Sequence, residues 1–240
     1  MLQEFPMKVP SDFDPIELEI LWNRLVSVVD EAAVAFLRTA FSTVVRESNA
    51  FTVVLMDPTG ANIADTNVGT PSFVGILPRT LQACLAEIPL DEWEPGDCTV
   101  TNDPWLTAGH LIDLAMLAPI FHGDRLVGFS GSMAHLPDIG GALFSADCRE
   151  VFEEGIRIPP TKLQQVLGDF YTQVAAHAVY ARKLSEFLEV SGFQDLSFVS
   201  AALQDRADKA TRSAIEAIPD GTNRSSAIRF ASSMSSITGP

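Results

Sequence analysis

Thiols are scarce in this 240-residue chain: there are three cysteines, Cys84, Cys98 and Cys148, odd in number and widely spaced. Without a C-x-x-C pair they suggest neither a disulfide framework nor a thiolate zinc site, and they read as buried free thiols. Positive charge is also thin. Lys plus Arg is 16 against 31 Asp plus Glu, a formal net charge of −15; a surface of that sign repels phosphate backbones and argues against nucleic acid as a partner. No run reaches the roughly 18 uninterrupted apolar residues of a membrane span. The opening Met1-Leu2-Gln3-Glu4-Phe5-Pro6 has no basic segment followed by an apolar one. A cytoplasmic protein without a membrane partner is the expectation. There is no G-x-x-x-x-G-K-[ST] loop and no G-x-G-x-x-G, so no nucleotide cradle is assigned to this chain. Gly128-Phe129-Ser130-Gly131-Ser132 lacks the final glycine of a nucleophile elbow and reads as strand.

What is present is an ordinary globular composition, 47% hydrophobic and 20% charged, at a length that gives between one and two domains of about 150 residues. Asp14-Pro15-Ile16-Glu17 combines an N-cap acceptor, a proline at the first helical position and an acid placed for a capping box. Helical spacing then continues to about Arg46, which predicts one long, largely buried helix. Residues 51–56 and 62–65, divided by Asp57-Pro58-Thr59-Gly60, read as a hairpin. Residues 73–88 return to helical spacing, and 98–101 read as a strand. Two apolar runs, 114–121 and 126–133, flank His122-Gly123-Asp124-Arg125 and are apolar on both faces, which places this central hairpin between layers. Helical patterns over about 163–190 and 195–218 close the fold at Pro219-Asp220-Gly221. The fold class expected is α+β: a long N-terminal helix, a mixed sheet with a buried central hairpin, and a C-terminal helical pair. Residues 1–221 form the domain, and the serine-rich 222–240 form a disordered tail.

One tetrapeptide pattern occurs twice, as His110-Leu111-Ile112-Asp113 before the central hairpin and His135-Leu136-Pro137-Asp138 after it, in a chain with four histidines. If the turn is a three-residue Gly123-Asp124-Arg125 loop, His122 faces Leu126 and Asp113 faces His135 on one side of the hairpin, with His110 just upstream. A two-residue loop shifts the register by one and puts them on opposite faces. In the first register two imidazoles and a carboxylate converge as ligands for Mn²⁺, Zn²⁺ or Fe²⁺; magnesium, which prefers oxygen, fits less well. The alternative is that both histidines are ordinary polar residues capping strand ends. Asp138 is a fourth ligand or supports the His135 ring. His122, in the turn, is expected to be exposed, and Asn102-Asp103-Pro104 reads as a turn initiator.

These stretches carry a family resemblance. Thr101-Asn102-Asp103-Pro104-Trp105, Gly109-His110-Leu111-Ile112-Asp113, the 134–141 segment Ala-His-Leu-Pro-Asp-Ile-Gly-Gly and the 153–163 segment Glu-Glu-Gly-Ile-Arg-Ile-Pro-Pro-Thr-Lys-Leu resemble the hydantoinase B family. That family takes in the B-type chains of N-methylhydantoinase, the C-terminal half of 5-oxoprolinase and the alpha subunit of acetone carboxylase. The resemblance implies a B-type subunit of an ATP-dependent cyclic amidase, a hydrolase that opens a hydantoin, oxoproline or lactam ring. It implies a hydantoinase A-type partner that carries ATP and Mg²⁺, which accounts for the missing nucleotide loop. The metal ligands of the acetone carboxylase alpha subunit, a His-x-x-Asp pair and a later His, fall on His110, Asp113 and His135; Mn²⁺ or Zn²⁺ is the expected ion. Asn102 and Asp103 fall in a possible active-site loop, and no residue is assigned as catalytic.

Two alternatives stand beside this reading: the alpha-type subunit of an ATP-dependent ketone carboxylase, and a truncated, non-catalytic relative. The chain is shorter than the family pattern between Lys162 and Gly168, and the resemblance stops near Gly221 while the family continues. The chain therefore reads as the N-terminal part of a longer subunit, as a fragment, a frameshifted product or one piece of a split protein. Full activity from the chain alone is not expected.

Overall fold

Asp14 accepts the Ile16 N–H at 2.7 Å and Pro15 sets the first helical φ, so α1 (Pro15–Thr39) starts at the predicted residue. It buries Leu18, Leu21, Leu25, Val28, Val29, Ala32, Ala33 and Phe36 along one face. The single helix expected to reach Arg46 is in fact two. Ala40 is extended, the Thr39 hydroxyl donates back to the Ala35 and Phe36 carbonyls, and Ser42 caps a new short helix, α2 (Thr43–Ser48), that ends with Asn49 in the left-handed region. Ser42 competes as a cap for backbone N–H groups that a continuous helix would have used internally.

The computed structural model describes residues 13–218 apart from 41, 74, 143–144 and 164–170. The expected disordered tail lies outside the described residues. The chain divides into two units, 1–205 and 206–240; the described part of the second is the end of the last helix, where Arg212 pairs with Asp208 at 2.7 Å. No helix among the described residues is long and apolar enough to cross a membrane.

Six strands make one sheet: β1 (Phe51–Met56), β2 (Asn62–Asp65), β3 (Cys98–Thr101), β4 (Asp113–His122), β5 (Arg125–His135) and β6 (Thr161–Leu163), in the order β2-β1-β5-β4-β3-β6. Where a mixed sheet was expected, all five pairings are antiparallel: the hairpin partners double back through tight turns, and β1 and β3 flank the central hairpin against the direction of the strands they meet. The three-residue β6 follows Pro159-Pro160 at the point where the helical pattern was expected to begin, and is too short to announce itself by alternation. The described residues also form three further α-helices, α3 (Ile76–Glu87), α4 (Tyr171–Ser191) and α5 (Ser197–Glu216).

Alternation sorts the core. Phe51, Val53, Leu55 and Ala134 face α1 and α4, with Phe36 stacked on Phe51 at 4.9 Å. Val54, Met56, Ala115, Leu117, Phe129 and Met133 face α3 with Leu77, Leu81 and Cys84. The central hairpin is thus buried on both sides, as its composition predicted. Cys84 and Cys98 are buried thiols, pushed up by desolvation to about 12 and about 11, whereas Cys148 is half-buried; none of the three is in a disulfide.

A polar contact crosses the α4 side of the sheet. His177 of α4 lies between Ser130, which meets its Nδ1, and Ser132, 3.4 Å from its Nε2. Burial lowers the His177 pKa from the usual 6.5 to about 4. The unfolded chain therefore takes up a proton near pH 6.5 that the folded chain refuses until about 4, and stability falls as pH drops through that window. The loss is roughly 3 kcal/mol at about 1.4 kcal/mol per unit. Denaturant titrations between pH 7 and 4 should show this slope, reduced in His177→Gln; equal slopes in the two proteins would exclude a neutral buried imidazole.

Candidate functional site

The four sequence stretches singled out above meet at one end of the sheet. β3 ends in Thr101, whose hydroxyl donates to the Ile158 carbonyl (2.9 Å) and accepts the Asp103 N–H (3.2 Å). Asn102, fully buried, donates from Nδ2 to the Leu111 and Ile156 carbonyls (2.7 and 2.8 Å) and accepts the Ile158 N–H at 2.6 Å. One amide thereby joins three segments of the chain. Asp103 accepts the Trp105 N–H at 3.1 Å and is paired with Arg157 through its other oxygen, the Arg157 Nε donating at 3.0 Å. Both residues hold the loops together; their polar atoms are engaged by the protein itself.

The 134–141 and 153–158 stretches close the other side. Gly140 bridges Gly155, the Ile156 N–H donates to Ile139 (3.0 Å) and the Ala142 N–H to Glu153 (2.8 Å). A Cβ on Gly141 would stand 2.4 Å from the Glu154 carbonyl carbon, so the approach of the two backbones excludes any side chain there. Leu111, Ile112 and Ile139 fill the space beneath.

At the mouth of the hairpin Asp113 lies opposite His135. The turn is not the three-residue loop considered in the sequence. It is Gly123-Asp124, with His122 opposite Arg125 and Gly123 at φ +61, as a two-residue type II′ hairpin requires. A bulge then adds Val127 to β5 between the Phe121–Leu126 and Ile120–Gly128 pairs, and this extra residue restores the register that puts Asp113 and His135 on one face. His122 is exposed as expected.

The Asp113 carboxylate is 1% exposed. Its Oδ1 is in ion-pair contact with the His135 Nδ1, and the His135 ring stands edge-on to Phe73 at 5.6 Å. Neither of these buried atoms makes a hydrogen bond, and no lysine or arginine pairs with Asp113 among the described residues. An isolated buried carboxylate is costly. A carboxylate oxygen and an imidazole nitrogen brought together in a buried site are the donor types that a borderline ion such as Zn²⁺ or Mn²⁺ takes.

The expected three-way convergence does not form. Among the described residues no three His, Cys, Asp or Glu side chains gather as a metal-binding group. His110 starts the turn whose Asp113 N–H donates back to its carbonyl (3.3 Å), but its Nδ1 lies 3.7 Å from Glu154 Oε1. Asp138, considered as a fourth ligand or a support for His135, is exposed and accepts the Gly140 N–H at 2.8 Å, a local turn contact. Sequence reasoning gave no role to Glu154 or Arg157, although both stand in a quoted motif; their partners are 44 and 54 positions away in sequence, a separation with no periodicity to betray it.

The family whose model matches is hydantoinase B/oxoprolinase, over residues 14–166 and 163–237. The chain belongs to this family. The two matched segments meet where the sequence departs from the pattern, and the second runs past the domain boundary expected at residue 221. The chain is 27% identical over 235 residues to the B-type subunit of a putative D-/L-hydantoinase from Pseudomonas sp. (strain NS671), covering 87% of this chain and 40% of that one. It superposes on the crystal structure of the ATP-dependent caprolactamase from Pseudomonas jessenii with a TM-score of 0.73 at 28% identity, over 88% of this chain and 40% of that one. A nucleotide-free acetone carboxylase structure shares the fold at a TM-score of 0.63 and 17% identity, over 79% of this chain and 28% of that one. The chain thus spans about 40% of the length of the first two relatives.

Asn102→Ala would strand the Leu111 and Ile156 carbonyls and the Ile158 N–H in a buried site. At about 1 kcal/mol or more for each group, the loss is at least about 3 kcal/mol, or roughly 6 °C or more in melting temperature. Calorimetry of the variant checks this, and an unchanged Tm would show that the loops do not depend on the amide.

Proposed function

We propose that this chain is a B-type subunit of an ATP-dependent cyclic amidase, working with a hydantoinase A-type partner that binds ATP and Mg²⁺. The substrate class is a hydantoin, an oxoproline or a lactam. The observation that carries the reading is the buried Asp113–His135 contact beneath the interlocked motif loops, in a chain of this family. Overall, one water opens the ring by adding to the carbonyl carbon as the C–N bond breaks and the nitrogen takes a proton. A second water is consumed as ATP gives ADP and phosphate.

Asp113 and His135 would hold a divalent metal; His110, which the family resemblance implies as the third ligand, stands beside Glu154 in this structure and would have to turn toward them. Such a metal would polarise a carbonyl or activate water. The protein's own contribution is positional. The paired strands fix Asp113 and His135 relative to one another, Phe73 walls the imidazole on one edge, and the Asn102 and Asp103 contacts keep the loop before His110 from moving. Groups held in this way reach the reacting geometry without further ordering.

The test is the chain assembled with its A-type partner and offered hydantoin, 5-oxoproline and caprolactam. ATP-dependent ring opening with equimolar ADP is expected, without incorporation of labelled bicarbonate. Asp113→Asn or His135→Gln should slow turnover by about 100-fold or more, the several kcal/mol a metal contributes. Incorporation of bicarbonate would favour a ketone carboxylase. A partner-bound chain with no ATP-dependent loss of any cyclic amide would favour a non-catalytic relative.

A further inference from the structure

The proposed ligand set leaves one carboxylate unexplained. Glu154 has a side chain only 19% exposed and lies in the loop that follows the short 3₁₀ helix Val151–Glu153. Its two oxygens do different things. Oε2 accepts the Leu111 N–H at 3.0 Å, the backbone donor next to His110, and Oε1 stands 3.7 Å from the His110 Nδ1, just outside hydrogen-bonding range. Its backbone is fixed independently of the side chain: the Glu154 N–H donates to Val151 at 3.1 Å, and Gly155, next in the chain, bridges Gly140. The carboxylate therefore sits on a rigid loop and reaches both the main chain and the ring of one histidine.

We propose that Glu154 is the positioning residue for His110. By closing the 3.7 Å gap it takes the Nδ1–H of the neutral imidazole and so leaves Nε2 as the nitrogen that carries a lone pair, while its grip on the Leu111 N–H fixes the start of the turn that ends at Asp113. A carboxylate behind a ligating imidazole selects the tautomer and raises the basicity of the far nitrogen. The arrangement differs from that of His135, which meets Asp113 through Nδ1, so the two imidazoles would offer different nitrogens. This inference rests on the metal reading for its purpose but not for its geometry, and the two are separable by experiment.

The measurement uses the full 240-residue chain, stripped with a chelator, in wild-type form and as Glu154→Gln and Glu154→Ala. Long-range ¹⁵N–¹H correlation spectra read the His110 tautomer without any metal. The wild type should be the Nδ1–H form, and Glu154→Ala should shift His110 toward the Nε2–H form ordinary for free imidazole while the His122 signals stay unchanged. Zn²⁺ titration should show binding weakened 10- to 100-fold in Glu154→Gln, the cost of a lost outer partner, with restoration toward wild type in Glu154→Asp. Glu154→Gln keeps an acceptor for the Leu111 N–H, so it answers even if Glu154→Ala does not fold. An Nε2–H wild-type His110, or Zn²⁺ affinity equal in wild type and Glu154→Gln, overturns the proposal. A wild-type chain that binds no Zn²⁺ overturns the metal reading instead, and the tautomer spectrum then decides the role of Glu154 alone.

Discussion

Everything at the site depends on the register of one pair of strands. β4 and β5 are joined by a two-residue turn, and continued without interruption that turn would place Asp113 and His135 on opposite faces, because side chains alternate with a period of two. The bulge at Val127 supplies the missing residue. The site is thus set several residues away from itself, in the wall of the core, where Val127 is buried against the α1 side and the neighbouring Gly128 allows β1 to pass: a Cβ there would lie 2.5 Å from the Met56 carbonyl oxygen.

Around that pair the protein uses buried polar groups as fasteners. Asn102 makes three hydrogen bonds with no atom left for solvent, and Asp103 is shared between a local turn and Arg157. A buried amide that is fully satisfied specifies one arrangement of loops, whereas an apolar side chain of the same size would tolerate several. This explains how the described residues of 102–112 and 136–160, irregular apart from one 3₁₀ turn at Val151–Glu153, hold a defined shape. On the opposite face of the sheet the Ser130–His177 contact does similar work between β5 and α4, separated by the pleat from Asp113 and His135.

Much of the fold was legible because its elements are long and periodic. The start of α1 was given by Asp14 and Pro15, and the central hairpin by two apolar runs around a glycine turn. What failed was of low contrast in the sequence: the interruption at Ala40, β6 with its three residues, and an antiparallel sheet order that depends on non-local pairing. For the site, repetition of the His-x-x-Asp pattern pointed to Asp113 and His135, and the register argument reached their contact through a loop length that the protein does not use. The roles of Asn102, Glu154 and Arg157 lie in contacts 9 to 56 residues apart in sequence, which no short-range pattern records. Asp138 has the ligand chemistry and lies next to the right strand, but its oxygen belongs to its own turn.

The central claim is that Asp113 and His135 meet in order to share a divalent ion. Crystals of the chain soaked in Zn²⁺ and measured on both sides of the zinc absorption edge test it directly. The account predicts an anomalous peak about 2.0 to 2.2 Å from both Asp113 Oδ1 and His135 Nδ1, and its loss in Asp113→Asn. A peak elsewhere, or a direct Asp113–His135 contact that persists unchanged at saturating Zn²⁺, would contradict it.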